Sequence, residues 1–184
     1  GILVGIGDTR ADQLAGLEAI AESHLRHGHV QEVIVQNFLP KLRTAMKGSP
    51  ACPSDDYLWT IAAARLILPA EIHLQAPPNL SDDFGSLLDA GIDDWGGVSP
   101  VTADHVNPER PWPDLDRLRE VTESKGHVLA PRLTIYPEFV RERILAPLGM
   151  KDTDFFVPLD KFARLATVYT PGPNGSGLKA VPHD

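Results

Sequence analysis

The chain has 184 residues, 42% of them hydrophobic and 23% charged, which is typical of a globular domain and too apolar for a wholly disordered chain. This length predicts one domain, or one domain with an appended piece. Its 17 lysines and arginines stand against 25 aspartates and glutamates, a formal charge of −8. Because that charge repels phosphate backbones and anionic lipid, we expect no nucleic-acid or membrane partner.

A single cysteine and the absence of long apolar runs restrict the protein class further. Cys52 alone excludes an internal disulfide, a four-thiolate zinc site and a three-cysteine iron–sulfur cradle built from this chain. No apolar run approaches the roughly 18–20 residues that span a bilayer, and no basic leader with a cleavage pattern is present. We therefore expect a soluble, cytoplasmic protein. Its opening within an apolar run suggests an excised piece.

Strand and helix signals alternate from the first residue. Residues 1–7 predict a buried parallel strand, and Thr9 with Asp12 can form a capping box for a helix that ends at Gly28. A strand is predicted at Glu32–Asn37, and a helix at 55–68 with Ser54 as its cap. The loop between them, 38–53, is long enough to be functional or disordered.

The alternation continues to about residue 133 and then stops. Further strands are predicted at 71–75, 93–96 and 128–133, and further helices at 81–90 and 115–125. This pattern predicts an α/β fold of parallel βα units, open or curled into part of a barrel. Beyond residue 139 we expect short helical stretches at 140–145 and 159–166, and an irregular tail over 170–184.

Polar residues follow each predicted strand. Ligands meet the carboxyl ends of parallel strands, and a heteroaromatic, polyhydroxylated ligand needs fixed donors and acceptors there. Turn chemistry can explain any one of these residues, whereas a site explains them together. The predicted substrate-binding residues are Gln36, Asn37, Gln75, Asn79, Asp94 and Ser99.

Other titratable groups have simpler interpretations. Asp93 and Asp94 could form an acid–base pair, but adjacent strand residues point to opposite faces, so only one would line a pocket. His105, beside Asp104, is interpreted as a loop histidine rather than a general base or metal ligand. His24, His27 and His29 suit a helix C-terminus better than a metal cluster, and Tyr57 and Trp59 are interpreted as core. No catalytic residue and no metal ligand is assigned.

Four segments resemble one family closely. GILVGIGDTRADQ, HVQEVIVQNF, LQAPPNL and GIDDWGGVSPVTADHVNPERPWP, within residues 1–140, resemble the radical S-adenosylmethionine half of FO synthases. The resemblance implies a partial or full (β/α) barrel with a 4Fe-4S cluster and S-adenosylmethionine. It also implies a lyase of deazaflavin biosynthesis that uses a 5′-deoxyadenosyl radical to cyclise a hydroxybenzyl-ribityl-aminouracil adduct.

The resemblance also implies cofactor-binding residues. The family motif G-x-I-x-G-x-x-E, which lies against S-adenosylmethionine, matches Gly1, Leu3, Gly5 and Asp8, with an aspartate in place of the longer glutamate. The family's C-x-x-x-C-x-x-C cluster loop would precede Gly1, and Cys52 cannot replace it. We therefore expect the isolated chain to be inactive.

The last part of the chain resembles a different family. Residues 141–184, beginning RERILAPLGMKDTDFF, resemble a segment of serine β-lactamase-like esterases. That family's S-x-x-K and Y-x-N motifs are absent here, so no acyl-enzyme is expected. The switch near residues 139–141 indicates a chimera, a fusion of fragments or a composite.

Three functions therefore remain open. The first is an FO synthase fragment acting on a small molecule, completed by a complementing half-barrel or forming a homo-oligomer through its open strand edges. The second is a serine hydrolase. The third is a non-catalytic α/β scaffold.

Overall fold

The computed structural model describes residues 1–99, 101–167, 169–171 and 178–181. The chain divides into two compact units, Gly1–Pro131 and Arg132–Asp184. The predicted domains, 1–140 and 141–184, remain a prediction.

The first unit is built on one parallel sheet. Its strands are β1 (Ile2–Val4), β2 (Glu32–Asn37), β3 (His73–Ala76) and β4 (Asp94–Trp95), ordered β1-β2-β3-β4. The helices α1 (Arg10–His27), α2 (Ser54–Ile67), α3 (Gly85–Ala90) and α4 (Leu115–Ser124) alternate with or follow them, and a short 3-10 helix spans Pro78–Leu80. The predicted α/β class with a parallel sheet is confirmed. The strands described here form an open sheet, so closure into a barrel remains a prediction.

Helix α1 begins and ends as the sequence predicts. The Thr9 side chain accepts a hydrogen bond from the Asp12 amide (3.3 Å), and the Asp12 carboxylate accepts one from the Thr9 amide (2.8 Å). At the other end Gly28 has φ 58°, the left-handed conformation that glycine adopts without strain. The capping box and the terminal glycine are both confirmed.

We expect Thr9→Ala to lower the free energy of unfolding by about 1 kcal/mol, because the substitution removes an N-cap acceptor. Thr9→Ser keeps the hydroxyl and serves as the matched control. Urea unfolding followed by circular dichroism measures both variants. Equal stability of the alanine and serine variants would show that the cap contributes nothing.

One face of the sheet packs against the helices. Alternate strand residues on this face are fully buried and form the core with helix residues such as Leu17, Ile61 and Leu87. The strand members of this face are Val4, Val33, Val35, Leu74, Ala76 and Trp95. The opposite face carries the exposed Leu3 and the half-buried Ile34 and Gln36. Strand side chains available to line a site therefore lie on this second face and at the strand ends.

Four predicted elements differ from the structure. Helix α2 has Pro53 as its N-cap residue, and Ser54 is already helical and gives no side-chain cap. Helix α3 starts at Gly85 instead of residue 81, since the Pro78–Leu80 turn takes up the preceding chain. Residues 128–133 form no strand, and Pro131 within them lacks an N–H for a ladder. Within the tail predicted to be irregular, Tyr169–Pro171 pairs antiparallel with Leu178–Ala180.

The second unit consists of short elements. Helix α5 (Pro137–Val140) continues into a wider π-helical turn, Arg141–Leu145, and a 3-10 helix spans Leu159–Arg164. The two predicted helical stretches are thus present with shifted bounds. The antiparallel strands are β5 (Tyr169–Pro171) and β6 (Leu178–Ala180).

Ion pairs connect the elements of the second unit. Arg141 binds Asp154 (2.8 Å) and Glu138 (3.3 Å), while Asp152 accepts from Lys161 and Arg164 (2.9 Å each). These bonds lower the pKa of both aspartates. Large apolar side chains, among them Leu148, Phe156 and Leu159, are exposed here. Across the described part of the whole chain, no helix is long and apolar enough to cross a membrane.

Candidate functional site

The carboxyl ends of the four strands lie along one edge of the sheet, because the strands are parallel and adjacent. Register pairs Leu3 with Gln36, and Gln75 with both Ile34 and Asp94. The predicted convergence of polar strand ends on one edge therefore has a structural basis. Which of them face a common space differs from residue to residue.

A cavity of about 370 Å³ opens at the ends of β1 and β2. Leu3, Gln36 and Asn37 line it from the strands, and the 38–53 loop covers it with Phe38, Leu39, Lys41, Thr44, Ala45 and Met46. Val106 and Asn107 complete the wall. The wall is mostly apolar and contains a few fixed polar groups, which is the usual make-up of a small-molecule site.

Sequence reasoning missed the loop's contribution and Asn107. The unusual length of the 38–53 segment was the available signal, and it pointed correctly to a segment beyond simple connection. Lys41 joins the two loops over the cavity, since its Nζ donates to the Val106 carbonyl and lies 3.9 Å from Glu109.

Asn37 and Asn79 are buried at the ends of β2 and β3, each with only 7% of its surface exposed. Asn37 Nδ2 donates to the Leu80 carbonyl (2.8 Å), and Asn79 Nδ2 donates to Asp104 (2.9 Å) and to the Arg110 carbonyl (2.8 Å). Both Oδ1 atoms are buried without a hydrogen-bond partner in the structure. Two buried acceptors are thus unsatisfied, which is costly in a folded protein unless a ligand or water binds them.

Asp104 is the centre of the loop that follows β4. Its carboxylate accepts from Asn79 and Asn107 side chains (2.9 Å each) and from the Val106 and Asn107 amides (2.9 and 3.0 Å). Burial raises the pKa of Asp104, but these hydrogen bonds outweigh it and lower the pKa to about 2. His105 beside it has no such role, in keeping with its interpretation as a loop residue.

We expect acid to loosen this loop selectively. Because the Asp104 pKa is about 2 in the folded chain and about 3.9 when unfolded, its stabilising contribution is complete above pH ~4 and is lost as pH falls towards 2. The wild type should lose more stability across that window than Asp104→Asn, in which the other carboxylates still titrate. Urea midpoints measured at several pH values provide the comparison. Parallel curves for the two proteins would contradict the assignment.

Asp8 closes the turn between β1 and α1. Its Oδ1 accepts from the Gly5 and Ile6 amides (2.8 Å each), and its Oδ2 accepts from Gln13 Nε2 (2.6 Å). Burial raises the pKa of Asp8, and these hydrogen bonds more than compensate and lower it. Both carboxylate oxygens are therefore engaged with the chain itself. Gly5, at φ 89°, lets the backbone turn here against Cys52.

The remaining predicted site residues lie outside the cavity lining. Gln75 is almost wholly buried and donates to Glu32 (2.6 Å). Asp94 is half-buried beside it, and the Ser99 hydroxyl accepts from the Val101 and Thr102 amides as in a turn. Gly1 lies so close to the Ile34 carbonyl that a Cβ there would be 2.4 Å from it. Ligand contacts by these residues remain predictions.

The other polar clusters have structural partners. Asp93 accepts from the Leu74 amide (2.8 Å) and pairs with Arg65 (3.1 Å) and His73 (3.4 Å). His24 Nε2 lies 3.3 Å from Glu71. Within the described residues no group of histidine, cysteine, aspartate and glutamate is arranged to hold a metal ion.

Two aromatic residues predicted to be core differ in the structure. Tyr57 is buried and donates its hydroxyl to the Val35 carbonyl (2.9 Å), and burial raises its pKa. Trp59 is only half-buried, with the Arg10 guanidinium 4.4 Å from its ring centre. Core packing is thus confirmed for Tyr57, whereas Trp59 forms a surface cation–π contact.

Cys52 does not fit a metal-cluster ligand. Burial, together with Asp56 and Asp8, raises the pKa of its thiol to about 11. Iron–sulfur clusters are bound by several thiolates, whereas this chain has one cysteine, and that one stays protonated at neutral pH. The residues present do not provide a cluster site.

The chain is similar to curated proteins named FO synthase. It is 53% identical over 143 residues to the FO synthases of Nocardia farcinica and Mycobacterium tuberculosis, covering 77% of this chain and 16% and 17% of those proteins. It is 54% identical over 142 residues to the 7,8-didemethyl-8-hydroxy-5-deazariboflavin synthase of Methanopyrus kandleri, covering 42% of that protein. The chain therefore spans well under half the length of these relatives.

The end of the chain has a second similarity. The family model described as Beta-lactamase matches residues 128–184. No solved structure matches the chain. Both resemblances that the sequence indicates are thus confirmed, and they belong to different families.

Proposed function

We propose that residues 1–140 are a segment of the radical S-adenosylmethionine part of an FO synthase, an enzyme of deazaflavin biosynthesis. The similarity of more than 50% over 77% of the chain carries this proposal. The cavity at the carboxyl ends of β1 and β2 supports it, because ligands of parallel α/β folds bind at that edge.

In this proposal the open sheet is one part of a (β/α) barrel. Helices pack on one face only, and the second face carries Leu3, Ile34 and Gln36 where a barrel interior would lie. The strands needed to close it would come from a complementing half-barrel or from a second copy of the chain. A four-stranded parallel sheet contributes half of an eight-stranded barrel.

The cofactor roles divide between this segment and its complement. S-adenosylmethionine would lie against Gly1, Leu3, Gly5 and the turn that Asp8 closes, and when bound it supplies the 5′-deoxyadenosyl radical. The 4Fe-4S cluster would be held by the complement, because Cys52 does not provide its ligands. We accordingly propose that the isolated chain does not perform the cyclisation and that it contributes to the pocket for the hydroxybenzyl-ribityl-aminouracil substrate.

Anaerobic reconstitution tests this proposal. The full chain is combined with a polypeptide that carries the cluster cysteines and the strands of a related FO synthase that this chain lacks. We expect the mixture to form the fluorescent deazaflavin product and neither component to form it alone. Absence of product, with the cluster assembled and the two polypeptides associated, would contradict the proposal and favour a non-catalytic scaffold.

Serine hydrolysis is the second candidate, favoured by the match at residues 128–184. The nucleophile motif S-x-x-K is absent from the sequence, so this segment lacks the group that would form an acyl-enzyme. We expect no turnover of nitrocefin or of a p-nitrophenyl ester above a heat-killed control. Turnover would reverse the order of the two candidates.

A further inference from the structure

We propose that the Oδ1 atoms of Asn37 and Asn79 bind N–H donors on the edge of a heteroaromatic ring held at the strand-end cavity. The ring is either an adenine, through its amino group, or a pyrimidine dione, through its ring N–H. This inference rests on the proposed function for the choice of rings, whereas the donor chemistry follows from the side chains themselves.

The hydrogen bonds of the two amides fix which atom is left for a ligand. Both hydrogens of Asn79 Nδ2 are used, one by Asp104 and one by the Arg110 carbonyl. Asn79 can therefore offer only its Oδ1. Asn37 donates to the Leu80 carbonyl, which orients its amide and leaves Oδ1 without a partner.

The two amides belong to neighbouring parts of the same edge. Asn37 binds the backbone of Leu80, the residue next to Asn79. Asp104 then connects Asn79 to Asn107, which lines the cavity together with Asn37. Asp104 is thus a positioning residue, because it holds the Asn79 amide in the orientation that presents Oδ1.

The cavity wall selects an uncharged ring. Leu3, Phe38, Leu39 and Met46 give it large apolar surfaces, which suit the faces of a planar ring. Its one cationic side chain, Lys41, already donates to the Val106 carbonyl. Orphaned buried acceptors favour donors over other acceptors, because an opposing acceptor would leave both groups unsatisfied.

The test compares ring probes that differ only in their donors. Uridine and 3-methyluridine form one pair, adenosine and N6,N6-dimethyladenosine the other, and each is titrated into the full chain labelled with ¹⁵N. We expect the side-chain amide signals of Asn37 and Asn79 to shift with a parent nucleoside and not with its methylated partner. A response to uridine assigns the pyrimidine dione, and a response to adenosine assigns the adenine.

Variants provide the second readout. Asn37→Leu should weaken binding of the parent nucleoside at least tenfold and leave any weak binding of the methylated one unchanged, while Thr153→Val in the second unit should change neither. The wild-type spectra decide the matter if Asn37→Leu fails to fold. Equal shifts with parent and methylated rings, or no shift with any of the four, would overturn the inference. Because no cluster is involved, this result is independent of the reconstitution assay.

Discussion

Gly5→Ala is expected to lower the free energy of unfolding by about 3 kcal/mol. Gly5 has φ 89°, a conformation that costs an L-residue roughly 1–2 kcal/mol. A Cβ built there lies 2.6 Å from Cys52 Cβ and 2.9 Å from its Cα, an overlap of backbone-anchored atoms that adds about 1–3 kcal/mol. The substitution should also displace the loop over the cavity, since the Cys52 amide donates to the Phe38 carbonyl.

Gly7→Ala is the matched control for this prediction. Gly7 also has a positive φ, 110°, but a Cβ there meets nothing within 4 Å. It should therefore show the conformational cost alone, about 1 kcal/mol. Urea unfolding of both variants separates strain from overlap. Equal destabilisation by the two substitutions would mean that Gly5 and Cys52 are not in close contact.

Ile61→Ala is expected to be the most damaging change to the helix layer. Ile61 in α2 is fully buried in the core between the helices and the sheet. Removing its side chain loses apolar burial and leaves a cavity, which costs about 2–5 kcal/mol. Because α2 packs on both β2 and β3, the loss should reach the strands that carry Asn37 and Asn79.

Leu66→Ala in the same helix provides the control, because Leu66 is 87% exposed. We expect a change within about 0.5 kcal/mol. Thermal or urea unfolding measures both variants. A cost at Leu66 as large as at Ile61 would contradict the one-sided packing of the helices described above.

Local chemistry made the first βα unit predictable. The capping box of Thr9 and Asp12, the left-handed Gly28 and the bounds of β2 all follow from neighbouring residues, and the structure has them as expected. Where local signals conflicted, prediction was weaker. Pro53 took the cap position expected for Ser54, and an apolar run containing Pro131 could not join the ladder.

The candidate site was predictable as a location but not as a set of contacts. Parallel strands in sequential order bring polar ends to one edge whatever their detailed partners are. The orientation of Asn79, by contrast, depends on Asp104 and Arg110, which are 25 and 31 residues away in the chain. Ser99 shows the opposite outcome, since its local turn bonds account for it.

The second unit has a different character from the first. Its apolar side chains are largely exposed, and its described ion pairs connect neighbouring surface elements. Ion pairs between exposed groups contribute little to stability. Together with the separate family match at residues 128–184, this contrast supports the proposal that the chain joins pieces of two unrelated proteins.

The release of 5′-deoxyadenosine tests the proposed role of the chain most directly. S-adenosylmethionine is supplied under anaerobic, reducing conditions to the cluster-bearing complement with this chain, with its Gly5→Ala variant, and with no addition. The account predicts release with the wild-type chain, less with the variant, and little without either. Release that is the same in all three samples would show that this chain contributes nothing to the cofactor pocket.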